Sequence, residues 1–243
     1  MSTDGRIVVG TRGDFREAFR WSEETGLRLL PRLANGGGNE AFSISDNGRV
    51  IAGRGDGGYA VIWVDGGQPR LLGDLSERNV AYDVSSGGEF VVGSSGPRSG
   101  AFRDEAFVWS ESTGIVTLGD LPGGEHWSAG IAVAADGRTV VGFSKDGSVG
   151  GGVYAGFSAV LWTPGLGMRS VKTELESYGI DLTGWYLTGA TGVINDGLTI
   201  VGRGVNPRGF EEAWIATIPE PSTVGLLLTA LASLLLGLRG RRR

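Results

Sequence analysis

Cysteine is absent and histidine occurs once, at His126, in a chain of 243 residues. The first absence removes a disulfide framework, a thiolate metal site and a cysteine nucleophile. The second removes the commonest metal ligand and general base from nearly the whole chain, which argues against histidine triads. Positive charge is scarce outside the extreme C-terminus: residues 1–218 hold 18 basic and 26 acidic side chains, a formal −8. Four arginines, Arg239, Arg241, Arg242 and Arg243, together with Glu220 bring the whole chain to −5. An acidic body with no basic stripe repels phosphate backbones, so nucleic acid is not expected as a partner. Met1-Ser2-Thr3-Asp4-Gly5 is no basic region followed by an apolar one, so these residues are not expected to act as a secretory leader.

Glycine, by contrast, is abundant at 45 residues, while 40% of the chain stays hydrophobic and no Gly-X-Y period appears. Glycines scattered among short Val, Ile and Trp runs predict many tight turns between many short strands, and argue against collagen and disorder. The segment Gly48-Arg49-Val50-Ile51-Ala52-Gly53 recurs at 5–10, 88–93, 137–142 and 197–202, each time as two glycines flanking four residues. Asp or Asn precedes the first glycine at Asp4, Asn47, Asp136 and Asp196, and Gly87 takes that place in the third copy. Such dipeptides tolerate positive φ and predict a two-residue hairpin turn at each position.

A second element follows each hairpin: Ala18-Phe19-Arg20-Trp21, Ala60-Val61-Ile62-Trp63, Ala106-Phe107-Val108-Trp109, Ala159-Val160-Leu161-Trp162 and a degenerate Ala213-Trp214-Ile215-Ala216. The alanines are 42, 46, 53 and 54 residues apart. Small residues where sheets approach, with a large ring to fill the wedge, suit radially packed sheets. The periodic tryptophans, Trp214 included, are therefore assigned to the core. Leu30-Pro31-Arg32-Leu33, Leu72-Gly73-Asp74-Leu75 and Leu118-Gly119-Asp120-Leu121 read as outer strands, and apolar stretches at 41–45, 81–85, 130–134 and 190–194 supply a fourth. The expected fold is all-β, a β-propeller-like array of four-stranded antiparallel repeats over residues 1–218. A β-solenoid, with shorter coils, is the alternative. There are three full repeats and a partial one at each end, the first without its opening strand and the last without its closing strand. Those deficits either complement one another in a ring of about five blades or mean that the N-terminus has been cut off, and truncation is the expectation favoured.

The Ala-Phe-x-Trp, Leu-Gly-Asp-Leu and Asp-Gly-x-x-Val-Val-Gly segments resemble the HAF family of extracellular repeats over roughly residues 3–217. That resemblance implies export and a surface location; it implies no reaction.

Composition then changes abruptly to Pro219-Glu220-Pro221-Ser222-Thr223, an apolar run from Val224 to Leu238, and a basic end. As a helix, the 15 residues of 224–238 would be about 22 Å long against a hydrocarbon core of about 30 Å. This run is short for a permanent anchor, and arginines on its C-terminal side keep that end cytoplasmic and the body outside. The layout of motif, apolar run and basic end resembles the PEP-CTERM sorting signal of Gram-negative bacteria. In that family exosortase, a membrane-embedded cysteine transpeptidase, recognises the signal, and export accompanies exopolysaccharide production. The implied path is an inner-membrane intermediate followed by the cell surface or extracellular space. A simple tail anchor is the alternative.

Candidate chemistry is thin. Gly55-Asp56-Gly57-Gly58 and Lys145-Asp146-Gly147 lack the endings of phosphate or calcium loops. The pairs Glu23-Glu24, Asp104-Glu105 and Glu211-Glu212 are more simply solvated charge than glycosidase carboxylates. His126 and Trp127 form a weak candidate glycan contact, weighed against a loop histidine beside a packing tryptophan. Residues 174–184 read as an insertion with a helical turn. The expectation is a surface structural or interaction protein with no catalytic activity and no cofactor or metal. Its expected partners are exosortase, the membrane through its tail, and exopolysaccharide; a carbohydrate-binding propeller and a glycan hydrolase or lyase are the alternatives.

Overall fold

The computed structural model describes residues 1–14, 16–34, 37–73, 77–97, 103–147 and 156–219. Among these, 18 strands and one short helix are arranged as five antiparallel sheets in chain order. The first holds β1 (Ile7–Arg12), β2 (Glu17–Ser22) and β3 (Gly26–Leu29). The second holds β4 (Glu40–Ile44), β5 (Val50–Gly55), β6 (Tyr59–Val64) and β7 (Arg70–Leu71), and the third β8 (Glu77–Val84), β9 (Phe90–Pro97), β10 (Glu105–Ser110) and β11 (Gly114–Thr117). The fourth holds β12 (Ser128–Val133), β13 (Val140–Lys145), β14 (Phe157–Thr163) and β15 (Gly167–Ser170), then helix α1 (Val171–Ser177). The fifth holds β16 (Tyr186–Val193), β17 (Thr199–Val205) and β18 (Glu211–Thr217). Among the described residues three sheets have four strands, while the first is without an inner strand and the last without an outer one, as the repeats predict.

The hairpin between the two inner strands is longer than its sequence suggested. Ser45 N–H donates to Val50 O (2.9 Å), which leaves four residues in the loop, and the pattern repeats for Ser2 with Ile7 and for Ser85 with Phe90. Positive φ falls on the glycine alone, between 69° and 86° at Gly5, Gly48, Gly88, Gly137 and Gly197. The preceding Asp or Asn serves differently: Asn47 Oδ1 accepts from Arg49 N–H (3.0 Å), Asp4 from Arg6 (3.0 Å), Asp136 from Arg138 (2.9 Å) and Asp196 from Leu198 (2.8 Å). Each caps its own turn from the side chain, as Asx residues do. A two-residue turn with both φ positive occurs instead at Asp65-Gly66, joining β6 to β7.

The second repeated glycine has a separate cause. A β-bulge in each inner strand lies between Ala41 and Ser43, Ala81 and Asp83, and Gly130 and Ala132, and β16 has two shifts. A Cβ on Gly53 would stand 2.0 Å from Glu40 O, on Gly93 1.8 Å from Val80 O and on Gly142 1.9 Å from Ala129 O. No side chain fits beneath those carbonyls.

The outer strands also correct the sequence reading. They end at Leu29, Leu71 and Thr117, and the leucine of each repeat comes next, with Leu30, Leu72 and Leu118 N–H donating to the carbonyls of Ala18, Ala60 and Ala106 at 2.8, 3.0 and 2.8 Å. All three leucines are buried. Apolar strand ends and apolar post-strand anchors are alike in sequence, which displaced the assignment by a few residues.

Adjacent sheets pack face to face through four hydrophobic clusters, one per interface. The repeats share one polarity, in which the tryptophan-bearing face looks back toward the preceding sheet. Trp63 is fully buried against Ala18 and Leu30, with its Nε1–H donating to Pro31 O (2.9 Å). Trp109 packs on Ile62 and Leu72, and Trp162 on Val92, Val108 and Leu118. Trp21 departs from the core expectation, because the first sheet has none before it, and it is 38% exposed. In β18 the ring moves two places earlier, so that Ala216 pairs with Ile200 where Trp63 pairs with Ile51. Trp214 lies over Gly202, and Val171 and Leu175 of α1 fill the same cluster. The helix thus begins before residue 174, and its buried face is core material.

Candidate functional site

The predicted pair His126-Trp127 lies at the end of the fourth sheet where the connection into β12 meets the hairpin leaving β13. Trp127 is half-buried, and its ring meets the edge of Phe157 at 5.2 Å between centroids, with Phe143 a further 5.5 Å from Phe157. The Lys145 ammonium stands 5.1 Å from the Trp127 ring and 5.6 Å from Phe157, a cation–π arrangement. Lys145 Nζ also donates to Glu125 (2.6 Å), which holds that carboxyl below the usual glutamate range. Lys145 N–H donates to Trp127 O (2.8 Å), so backbone and side chain fix one geometry. Trp127 is therefore built into an aromatic packing cluster.

His126 points elsewhere. It is exposed, and its Nδ1 lies 2.9 Å from an Asp120 carboxylate oxygen. Among the described residues no group of three His, Cys, Asp or Glu could hold a metal ion. The acidic pairs are otherwise engaged or apart. Asp104 binds Arg78 (2.9 Å), Glu105 accepts from Gly119 N–H (2.9 Å), and Glu211 and Glu212 are neighbours on β18, where successive side chains face opposite sides.

Polar residues that sequence reasoning passed over prove to join the sheets. Asn39 Oδ1 accepts from Ala18 N–H (2.9 Å) while its Nδ2 donates to Pro31 O (3.0 Å), and Asn39 is buried. Asn79 repeats the acceptor role for Ala60 N–H (2.6 Å), and Ser128 for Ala106 N–H (2.8 Å). Asn39 just precedes β4, Asn79 lies near the start of β8 and Ser128 opens β12, and each satisfies a backbone donor of the sheet before it. Asp83, just after the bulge of β8, accepts from Ser43 Oγ–H (2.6 Å) on one side and Val133 N–H (3.1 Å) on the other, tying three sheets together. Burial raises its pKa above the ordinary 3.8, partly offset by those hydrogen bonds. The legible signal was Asn-x-Ala-aromatic, at Asn39-Glu40-Ala41-Phe42 and again 40 residues on at Asn79-Val80-Ala81-Tyr82.

At the C-terminal side Ile218 is buried and its N–H donates to Leu198 O (2.9 Å), and Pro219 follows exposed. The remaining tail positions, Glu220, Pro221, Val224, Leu238, Arg239, Arg241, Arg242 and Arg243, lie outside the described residues. Among the described residues no helix is long and apolar enough to cross a membrane.

Successive antiparallel sheets, inner strands together and each packed on the next, define a β-propeller-like protein. The chain is similar in structure to a protein described as a TolB from Agrobacterium tumefaciens, at TM-score 0.55 and 13% identity over 90% of this chain and 88% of that one. A second similar structure is a Dos1 propeller, at TM-score 0.49 and 10% identity over 92% of this chain and 59% of that one. At such identities the likeness to the TolB structure is one of fold. No family model matches the chain, and no curated protein matches it in sequence.

Proposed function

We propose that this is an exported structural or interaction protein of the cell surface or extracellular matrix, sorted by exosortase through its tail and without catalytic activity. The observation that carries the reading is the abrupt change at residue 219. The last strand closes with the Ile218–Leu198 hydrogen bond, and Pro219-Glu220-Pro221 follows immediately, then the apolar run and the arginines. The motif therefore begins one residue beyond Ile218, at the exposed Pro219, which suits recognition by a membrane enzyme. Repeated latches between sheets suit a rigid display scaffold.

The test is intact-mass and terminal-peptide analysis of the protein from its own cells. A chain ending between residues 219 and 222 in the surface fraction supports sorting, and Glu220→Ala should leave the tail attached. A product that keeps Arg243 in the inner membrane overturns it.

A second reading, exopolysaccharide binding at the end of the fourth sheet, rests on the exposed His126 held by Asp120. Retention on an acidic polysaccharide matrix, lost in His126→Ala and Trp127→Ala, would support it. Equal elution of all three proteins would sink it.

A further inference from the structure

The sheets stack with one polarity, which leaves two unlike faces at the ends of the series. Within the molecule, the back face of each sheet receives the front face of the sheet before it, and the contact repeats in detail. A Cβ on Gly48 would stand 2.3 Å from Ile7 Cδ1, on Gly88 2.7 Å from Val50 Cγ2, on Gly137 2.4 Å from Phe90 Cγ and on Gly197 2.5 Å from Thr139 Oγ1. Each glycine thus seats a side chain of the preceding sheet. At Gly5, the fifth in the series, nothing lies within 4 Å. The neighbouring surface matches: Trp21, Leu27 and Leu29 of the first sheet are all exposed.

The groove around Trp21 measures about 740 Å³ and is lined by Gly5, Arg6, Ile7, Trp21, Ser22 and Glu23, among others. Its counterpart around Trp109 measures about 420 Å³, because Val50, Ile62, Val64 and Arg70 of the second sheet fill one side. By register, the residues of the fifth sheet equivalent to Val50, Ile62 and Val64 are Thr199, Ile215 and Thr217. They lie on its unpartnered front face, where Ile215 is 73% exposed and Val201 is exposed beside it. Among the described residues no hydrophobic cluster joins the first sheet to the fifth.

We propose that the front face of the fifth sheet of one copy seats on the Trp21 face of the first sheet of a second copy, continuing between molecules the interface that the sheets make within one. The surface is the same one four times realised in the chain, so its occupant needs the chemistry of a preceding sheet: a side chain seated at Gly5, as Ile7, Val50, Phe90 and Thr139 are seated at the other four glycines, and an aliphatic one over Trp21 and Leu27. Ile215 and Thr199 of a second copy supply both. The contact is heterologous, so copies either close into a ring or extend as a filament. This inference is independent of the sorting reading.

The absence of cysteine gives a direct test with the full chain in mild detergent. Leu27→Cys and Ile215→Cys occupy exposed positions whose internal counterparts, Ile115 with Ile62 and Met168 with Val108, share clusters. Mixed single variants are expected to form a disulfide-linked dimer under mild oxidation, many-fold faster than either variant alone. Added Trp21→Glu in the Leu27→Cys chain should abolish that dimer while leaving the far-UV circular dichroism unchanged. No dimer in the mixture, or equal dimer from each variant by itself, overturns the proposal. So does a Leu27→Cys/Ile215→Cys double variant that yields only an internally bridged monomer, since that result means the two faces meet within one chain.

Discussion

Replacing Trp63 by alanine separates the directional packing from a mere periodic tryptophan. Trp63 is fully enclosed between the first and second sheets, and a buried Trp→Ala change costs about 3–5 kcal/mol from lost transfer energy and the cavity left behind. Its Nε1–H bond to Pro31 O adds about 1 kcal/mol or less, because that carbonyl keeps the Asn39 Nδ2 donor. The sum is about 3–6 kcal/mol, a large share of the roughly 5–15 kcal/mol that holds a domain. Trp21 stands at the equivalent strand position without a sheet over it. Trp21→Ala removes partial burial and leaves no enclosed cavity, for about 1 kcal/mol. With a urea slope of about 2 kcal/mol/M the midpoints should fall by about 2 M and about 0.5 M. Circular dichroism in urea at high dilution measures both, and Trp63→Phe provides an intermediate if the alanine variant does not fold. Equal shifts for Trp21 and Trp63 would refute the polarity of the stack.

Asn39→Ala leaves the buried Ala18 N–H without its acceptor and should cost about 2–3 kcal/mol, and Asn39→Asp, which keeps that acceptor but buries a carboxylate with an oxygen facing Pro31 O, should cost at least as much at neutral pH; urea midpoints compare them. Gly88→Ala places a Cβ 2.7 Å from Val50 Cγ2 at φ +86° and should cost about 2–3 kcal/mol. Gly5→Ala meets only the φ penalty and should cost about 1 kcal/mol, read in the same way. Asp83 titrates above 3.8 in the folded chain. As pH rises through 3.8 the unfolded chain releases its proton first, so this group lowers stability from there until the folded carboxyl ionises, and its effect is constant above. Asp83→Asn should flatten the midpoint-against-pH curve in that window, and an unchanged curve would count against a buried carboxylate. Amide hydrogen exchange should find β1, β2 and β3 the fastest-opening sheet, because one interface alone covers it; faster opening of the fifth sheet would contradict this.

Turn chemistry and period made most of the architecture legible. Glycines with positive φ and an Ala-x-x-Trp spacing near 40 to 54 residues located five sheets and both missing strands. What escaped was governed by registration rather than composition. The bulges put Phe42 out toward solvent within an apolar strand, so alternation failed there by one residue. The Asn39 and Asn79 latches were visible as repeats, but a polar residue in a connection reads as loop until its buried partner is known. Trp21 and Trp63 are alike in sequence, and only their places in the stack distinguish them. Of the candidate site, His126 and Trp127 proved adjacent in sequence yet divided in role, one oriented by Asp120 and the other held by Phe157 and Lys145.

The energetics follow from that stacking. Every cluster joins two neighbouring sheets, so stability is close to a sum of nearest-neighbour terms, as in other repeat arrays. Interior sheets are covered on both faces and end sheets on one. The fifth sheet compensates with material outside the repeat: Val171 and Leu175 of α1, Leu182, Trp185 and Ile218 all join its cluster. The first sheet has no comparable addition among the described residues, and it also carries the open Gly5 position and the exposed Trp21. Burying those groups would stabilise the weakest unit of the array most, since each interior interface already has its partner. Association through the first sheet would therefore couple assembly to folding: the exposed Trp21, Leu27 and Leu29 belong to the sheet that gains most from being covered.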